Sequence, residues 1–150
     1  MTRKLLALFA VVAIVTTARA ETRAVPQDAE ELVKSAVAYV KRHGEFKAFR
    51  EYENKSGPFV FRDAYIEVID AEGRVLSHGG DPRKAGMALS ALPDQDQSAI
   101  KARLASMQGK ESGWTEYEVK NPSTGKLEPR SAYSERVGKI IVSSSAARSR

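Results

Sequence analysis

The chain has 150 residues, 42% of them hydrophobic and 29% charged, which suits one globular domain rather than a disordered or multi-spanning membrane protein. It contains no cysteine and two histidines, which excludes disulfides, thiolate metal sites and a cysteine nucleophile and argues against a multi-histidine zinc site. We therefore expect neither a metal nor a cofactor. We also expect no nucleic-acid partner, because the formal net charge of +5 falls to +2 once a leader with three bases and no acid is removed.

That leader is predicted at residues 1–20, which have the features of a secretory signal peptide. Arg3 and Lys4 precede an uninterrupted apolar run of 11 residues, and residues 18–20 read ARA, the small-x-small pattern of a cleavage site. The apolar run is about half the roughly 20 residues that a membrane span needs. We therefore predict cleavage after Ala20 and export of the remaining chain to the periplasm or the medium.

A long helix is predicted after a flexible N-terminus at residues 21–27. Asp28 followed three residues later by Glu31 forms a capping-box pattern. Apolar residues then recur at three- and four-residue steps, which indicates one buried face. The last turn is basic and Gly44 ends the helix; we interpret His43 in that turn as a surface residue that compensates the helix dipole.

A shorter helix and a β-hairpin follow. Phe46, Phe49 and Tyr52 are spaced by three residues, so a helix would place them on one face. The pattern then changes, because residues 64–70 (AYIEVID) and 74–78 (RVLSH) are rich in β-branched and apolar residues and are separated by a turn sequence. These two segments are predicted to pair as a hairpin.

The rest of the chain completes a predicted antiparallel sheet. A loop from Gly79 to Pro93 and a helix capped by Asp94 come first, and a loop of this length inside a compact domain is usually functional. Strands are then predicted at about 114–119, 127–136 and 140–144, with turn sequences between them. The predicted fold class is therefore α+β, with five antiparallel strands.

Three motifs in this order resemble the single Cache domain family, whose members are extracytoplasmic ligand-sensing modules with a PAS-like fold. They are D-x-x-G-x-V-L-x-H-G at residues 70–79, G-W-x-x-Y at 113–117 and N-P-x-T-x-K…P-R-S-x-Y at 121–133. The resemblance covers residues 28–145 and leaves a short tail at 146–150. It implies a long N-terminal helix packed on a five-stranded antiparallel sheet, with a lid loop and a helix closing over a pocket on the other face.

The resemblance also implies a function. Ligands of such modules are chiefly small organic acids, such as short-chain carboxylates and 2-oxo or 2-hydroxy acids. Such domains usually sit between two transmembrane helices of a chemoreceptor or sensor kinase, whereas this sequence has no second long apolar run. We therefore expect an exported binding or sensing protein that works with a membrane sensor kinase, chemoreceptor or transporter. Homodimerisation through the long helix is left open.

A pocket for a small carboxylate needs a cation or several hydrogen-bond donors, walled by apolar or aromatic groups. Arg130 offers a charged fork that matches a carboxylate, and the resemblance favours it because the family motif has a basic residue there. His78 offers a neutral imidazole donor whose protonation depends on pH, and the alternative interpretation is a structural histidine at a strand end. Tyr65 is a weaker candidate. The predicted ligand-binding residues are His78, Trp114, Tyr117, Arg130 and Tyr133.

The alternation of side chains along a strand conflicts with this set. Trp114 and Tyr117 differ by three positions and therefore face opposite sides of a regular strand, and so do Arg130 and Tyr133. An irregularity near Pro129 would resolve the conflict. For every aromatic residue in the set, packing in the hydrophobic core is the alternative interpretation.

No catalytic residues are predicted, and we expect the protein not to be an enzyme. Glu116, Glu118 and Glu128 are interpreted as the solvent-facing half of alternating strands rather than as acid–base pairs. No combination of nucleophile, base and orienting acid can be recognised in the sequence.

The alternative function is that of a structural or protein-interaction module. In that case the protein's own side chains would fill the pocket, and another protein would bind the sheet or the long helix. The exposed helix face with Glu30, Lys34 and Lys41 would suit such a role.

Overall fold

The structure, a computed structural model, describes residues 23–148, so the predicted signal peptide lies outside the described residues. Three α-helices are present in this range: α1 (Pro26–His43), α2 (Glu45–Tyr52) and α3 (Asp94–Ser106). The strands are β1 (Val60–Phe61), β2 (Ala64–Tyr65), β3 (Glu67–Ile69), β4 (Val75–His78), β5 (Ser112–Lys120), β6 (Leu127–Val137) and β7 (Ile140–Ala147). No helix among the described residues is both long and apolar enough to cross a membrane.

Helix α1 begins three residues earlier than the capping-box pattern predicted, because Val25 rather than Asp28 is its N-cap. Pro26 occupies the first helical position, where its missing N–H costs nothing. Asp28 is therefore the third residue of the helix rather than its N-cap, and its carboxylate accepts the backbone N–H of Val25 at 2.8 Å. The other end agrees with the prediction: the helix ends before Gly44, whose φ is +80°, and His43 in the last turn is exposed.

The main sheet has five antiparallel strands in the order β4-β3-β7-β6-β5, which confirms the predicted α+β class. The last strand of the chain thus lies in the centre of the sheet. Pairing between β5 and β6 and between β6 and β7 is continuous, with no bulge. Strict alternation of side chains therefore holds along all three strands, including the segment at Pro129.

Helix α1 covers one face of this sheet. Its buried residues are packed mainly on β6 and β7, and the helix side of the contact is the apolar face predicted from the sequence. Tyr52 of α2 closes the edge of this core and donates its hydroxyl hydrogen to the carbonyl of Ala36 at 2.5 Å. The buried residues of α1 are Ala29, Leu32, Val33, Ala36, Val37 and Val40.

Only half of the opposite face carries an apolar core. At the end of the sheet near the β3–β4 turn, Ile100 of α3 and Met107 just after it pack on Ile69 and Ile141, and all four are buried. The long loop between β4 and α3 contributes Leu92 to the same cluster. The other half of this face is polar, and the cavity described below lies there.

A short hairpin of β1 and β2 holds the N-terminal residues beside that cavity. Val60 pairs with Tyr65, which leaves Arg62 and Asp63 as a two-residue turn, and Arg62 has a φ of +57°. The Asp63 carboxylate accepts the backbone N–H of Ala24 at 2.6 Å, and Ala24 is buried. The chain just before α1 is thereby fixed at the edge of the cavity.

Candidate functional site

A cavity of about 420 Å³ lies between the sheet and the first half of α3. Ligand sites for small molecules are typically clefts of roughly 300–1,000 Å³, so this volume suits a small molecule. Side chains of β2 to β7 form its floor, and residues 95–103 of α3 form the opposite wall. Its rim consists of exposed residues from the β5–β6 turn, together with Arg23. The cavity contradicts the alternative in which the protein's own side chains fill the pocket.

Three of the five predicted site residues line this cavity. Tyr117 of β5 lies directly opposite Arg130 of β6, and both side chains are on the cavity side. His78 of β4 lies opposite Glu67 of β3 on the same side. Tyr65, the weaker candidate, also lines the cavity.

Trp114 and Tyr133, the other two predicted residues, lie on the opposite face of the sheet and do not line this cavity. They are cross-strand partners on the α1 side, with ring centroids 5.1 Å apart. Tyr133 belongs to the core under α1, and the ammonium of Lys34 lies 5.9 Å from its ring. The conflict in side-chain parity is thus real, and no irregularity at Pro129 removes it.

Arg103 of α3 is a cavity residue that the sequence analysis missed. It is 3% exposed, and its Nη1 forms an ion pair with Glu67 Oε2 at 2.7 Å. Burial disfavours the charged carboxylate of Glu67, but the guanidinium of Arg103 outweighs it and lowers the pKa of Glu67. One sequence signal existed: Arg103 lies three residues after Ile100 and four before Met107, on the buried face of the helix.

The two guanidinium groups differ in their partners. Arg103 is paired with Glu67, yet its Nε is buried and has no hydrogen-bond partner. Arg130 donates from Nε to Ser145 Oγ at 3.3 Å and from Nη2 to the Ser145 carbonyl at 3.0 Å. Among residues 23–148 it forms no ion pair. Arg130 is therefore a positioned positive charge without a paired carboxylate in the described part of the chain.

The carboxylates of the lining already have partners. Glu128 accepts from Asn121 Nδ2 at 2.7 Å and pairs with Arg23 at 3.4 Å, so it lines the cavity and is not simply solvent-facing as predicted. Glu116 and Glu118 are exposed, as predicted. Three carboxylates of the lining remain. Asp63 accepts a hydrogen bond from the backbone N–H of Ala24, and Glu67 pairs with Arg103. Asp96 pairs with Lys84 at 2.6 Å.

His78 is held in one orientation by the start of the long loop. It is 5% exposed, and its Nδ1 accepts the backbone N–H of Asp81 at 2.9 Å. The neutral ring therefore carries its proton on Nε2. Burial lowers the pKa of His78, the nearby Glu67 carboxylate opposes this, and the charge of Lys84 lowers it further. At neutral pH the group is an uncharged N–H donor.

Tyr65 is fixed by two glycines at the end of β4. A Cβ on Gly80 would lie 2.6 Å from Tyr65 Cε1, and one on Gly79 would lie 2.7 Å from the carbonyl oxygen of Tyr52. Only glycines allow the chain to pass this close to the ring. Burial, together with the charge of Glu67, raises the pKa of Tyr65 to about 12, so its hydroxyl keeps its proton.

The segment predicted as a lid lies on the cavity face of the sheet but beside the α3 cluster. Residues 79–93 form two short 3₁₀ turns (Pro82–Lys84 and Leu89–Ala91) and do not line the cavity. Met87 and Leu89 instead pack on the apolar cluster of α3, because their side chains are more stable there than over a polar cavity. The segments that border the opening are the first turn of α3 and residues 120–123.

Comparisons with known proteins identify relatives of this fold. A family model described as Single Cache domain 2 matches residues 2–140, whereas no curated protein matches the sequence. One similar solved structure is described by the words "Structural basis for carboxylic acid recognition by a Cache chemosensory domain". It has a TM-score of 0.62 and 14% identity, over 82% of this chain and 92% of that chain.

Two further structures are chemotaxis proteins. A methyl-accepting chemotaxis protein from Vibrio parahaemolyticus RIMD 2210633 has a TM-score of 0.61 and 15% identity, over 79% of this chain and 85% of that chain. A periplasmic sensor domain of a chemotaxis protein has a TM-score of 0.53 and 19% identity, over 92% of this chain and 100% of that chain. At these identities the similarity shows a shared fold.

Proposed function

This chain belongs to the single Cache domain family, and from that premise we propose that it binds a small organic acid anion in the cavity between the sheet and α3. Arg130 holds the carboxylate, and Tyr65, Tyr117 and His78 surround the rest of the ligand. The structure described as showing carboxylic acid recognition by a Cache domain shares the fold and supports the choice of ligand class.

The observation that carries the proposal is that the guanidinium of Arg130 is held in position but forms no ion pair with a described residue. Each lining carboxylate already accepts a hydrogen bond or pairs with another cation, so the guanidinium of Arg130, which forms no ion pair within residues 23–148, is available to a bound anion. The two hydrogen bonds to Ser145 fix the side chain before the ligand arrives, which reduces the entropy lost on binding. Charge-assisted hydrogen bonds from such a fork are short and strong.

Two tyrosines and a histidine add the complementary contacts. The rings of Tyr65 and Tyr117 give walls that exclude water, and their hydroxyl groups donate hydrogen bonds. The Nε2–H of His78 is a further donor at neutral pH. We propose binding without catalysis, because the partnered carboxylates of the lining are not free to act as general bases.

The direct test is a thermal-shift and calorimetric screen of acetate, propionate, pyruvate, lactate and succinate. A ligand at 100 times its Kd stabilises the folded state by about 2.7 kcal/mol, and about 1 kcal/mol moves the Tm of a domain of this size by a few degrees. At least one acid should therefore raise the Tm clearly. A flat response to all five would contradict the proposal.

Replacing the guanidinium of Arg130 tests whether this residue binds the ligand. Arg130→Gln should weaken binding of the best acid at least tenfold without unfolding the protein, because the charge-assisted contact is lost. Arg148→Gln is the matched control, since Arg148 is exposed and pairs with Glu116 on the other face of β5. Equal affinity in Arg130→Gln and the control would remove Arg130 from the site.

The proposal extends to location and output. An exported protein would meet its ligand outside the cytoplasm, and a membrane sensor kinase, chemoreceptor or transporter would read the bound form. A ligand changes the conformational equilibrium only by its differential affinity for two states. Arg23 lies at the cavity rim only three residues before α1 begins, so a bound ligand that contacts Arg23 can affect the position of the long helix.

A further inference from the structure

We propose that Arg103 is a second ligand contact that determines specificity: it favours monocarboxylates with a neutral acceptor oxygen next to the carboxylate over plain short fatty acids and dicarboxylates. This inference rests on the proposed function, because it assigns the ligand's carboxylate to Arg130. It adds a residue on the opposite wall of the cavity and a rule for which acids are accepted.

The first observation is an unsatisfied donor. Arg103 lines the cavity from α3, is 3% exposed, and its Nε has no hydrogen-bond partner. Buried donors are almost always paired in folded proteins, since an unpaired one loses its contacts with water and gains nothing in return. A ligand oxygen at this Nε would remove that cost, and binding would gain accordingly.

The second observation is that the two guanidinium groups line one cavity from opposite walls. Arg103 belongs to α3, and Arg130 belongs to β6 on the sheet side. Tyr65 lines the same cavity. A ligand bound beside Tyr65 therefore lies between the walls that carry the two cations.

The negative charge of Glu67 favours a neutral ligand oxygen over a carboxylate at Arg103. Glu67 Oε2 lies 2.7 Å from Arg103 Nη1, so this guanidinium is already neutralised. A second carboxylate placed there would face the Glu67 charge at short range in a poorly hydrated site, and like charges repel strongly under such conditions. An oxo or hydroxyl oxygen accepts from Nε without that repulsion.

The lining also disfavours a plain apolar tail. Its aliphatic side chains are Ala99, Val119 and Pro122, and its remaining residues are polar, charged or tyrosine. A methyl or ethyl group beside Arg103 would leave Nε unpaired and would bury little apolar surface. Sites built to donate a hydrogen bond discriminate strongly against ligands that lack the acceptor.

Calorimetry on the full chain with four probes tests the rule. Pyruvate and lactate have the carbon skeleton of propionate plus one oxygen, and succinate adds a second carboxylate. We expect pyruvate or lactate to bind at least tenfold more tightly than propionate, and succinate to bind more weakly than the better of the two. Equal affinities for propionate and the oxygenated acids, or tightest binding of succinate, would overturn the proposal.

Two variants test whether Arg103 and Glu67 cause the preference for acids with the additional oxygen. Arg103→Lys keeps a cation opposite Glu67 but removes the Nε–H, so the advantage of pyruvate and lactate should disappear while the affinity for propionate stays within about threefold. Glu67→Gln should raise the affinity for succinate relative to lactate. A uniform loss for every acid in Arg103→Lys, in a protein that melts like the wild type, would mean a structural role only and would overturn the proposal.

The result separates this inference from the proposed function. If none of the acids binds to the wild-type chain, the proposed function itself fails. If acids bind and Arg130→Gln abolishes binding, but no preference for the additional oxygen exists, only the role of Arg103 fails. The wild-type ligand series gives this answer even if a variant does not fold.

Discussion

At the scale of single residues, strict alternation along β5 and β6 divides the aromatic and basic side chains between the two faces of the sheet. Tyr117 and Arg130 line the cavity, and Trp114 and Tyr133 lie on the other face, which agrees with the side-chain parity expected from the sequence. Sequence alone could not show which face holds the cavity, because that depends on where α3 and the long loop pack. Arg103 was missed because most charged residues on a helix are exposed, and only its spacing indicated burial.

His78 gives a prediction for the pH dependence of stability. Burial lowers its pKa in the folded state, so the unfolded chain takes up a proton more readily than the folded one. Stability is therefore full above the unperturbed pKa of about 6.5 and is lost as the pH falls below it. We expect a lower Tm at pH 5.5 than at pH 7.5.

His78→Asn is the variant that tests this cause. Its side-chain carbonyl can replace Nδ1 as the acceptor for Asp81 N–H, and it does not titrate. The loss of Tm between pH 7.5 and pH 5.5 should therefore shrink in this variant. An unchanged pH profile, measured by circular dichroism, would show that His78 does not cause it; Glu67, whose pKa is also lowered, acts only at lower pH.

At the scale of elements, the sequence predicted the helices and the strands of the main sheet in order, but it missed β1 and predicted β2 and β3 as one strand over residues 64–70. Hydrophobic periodicity and turn residues identified α1, α2, α3 and the five strands of the main sheet, and the family resemblance was confirmed. The central position of β7 follows from long-range pairing, which no local pattern encodes. The packing of the long loop is likewise decided by tertiary contacts, because its apolar residues join the α3 cluster.

The passage from β4 into the long loop gives an element-scale prediction. A methyl group on Gly80 would come within 2.6 Å of the Tyr65 ring, so Gly80→Ala should push the ring towards the cavity. We expect at least a fivefold loss of affinity for the best acid and a decrease in Tm of a few degrees, since overpacking typically costs about 1–3 kcal/mol. Calorimetry and thermal melts measure both effects.

Gly113→Ala is the matched control for this substitution. The nearest heavy atom to its added Cβ is Met107 Sδ at 3.8 Å, an ordinary contact, and Gly113 does not line the cavity. Its affinity for the acid should equal that of the wild type. If both alanine variants bind alike, the close approach of Gly80 to Tyr65 has no role in shaping the site.

At the scale of the whole molecule, the sheet separates the main hydrophobic core on one face from the cavity on the other. Helix α1 and an apolar core cover one face and provide most of the buried side chains, while the other face is divided between the α3 cluster and the polar cavity. Function is thus confined to half of one face. Dimerisation through the exposed side of α1 stays a prediction; there Lys34 and Glu30 form an ion pair with each other at 2.6 Å.

Export is the whole-molecule prediction that the proposed function requires, because a sensor of external acids must leave the cytoplasm. In a two-membrane bacterium, the chain recovered from the periplasm should begin at residue 21, since an apolar run of 11 residues is too short to anchor it. Ala20→Phe should block cleavage and retain the leader, whereas Arg19→Gln should be processed normally because the middle position tolerates most residues. Intact mass spectrometry distinguishes the two products, and a wild-type chain that keeps residues 1–20 in the membrane fraction would contradict cleavage and with it the release of a free binding protein.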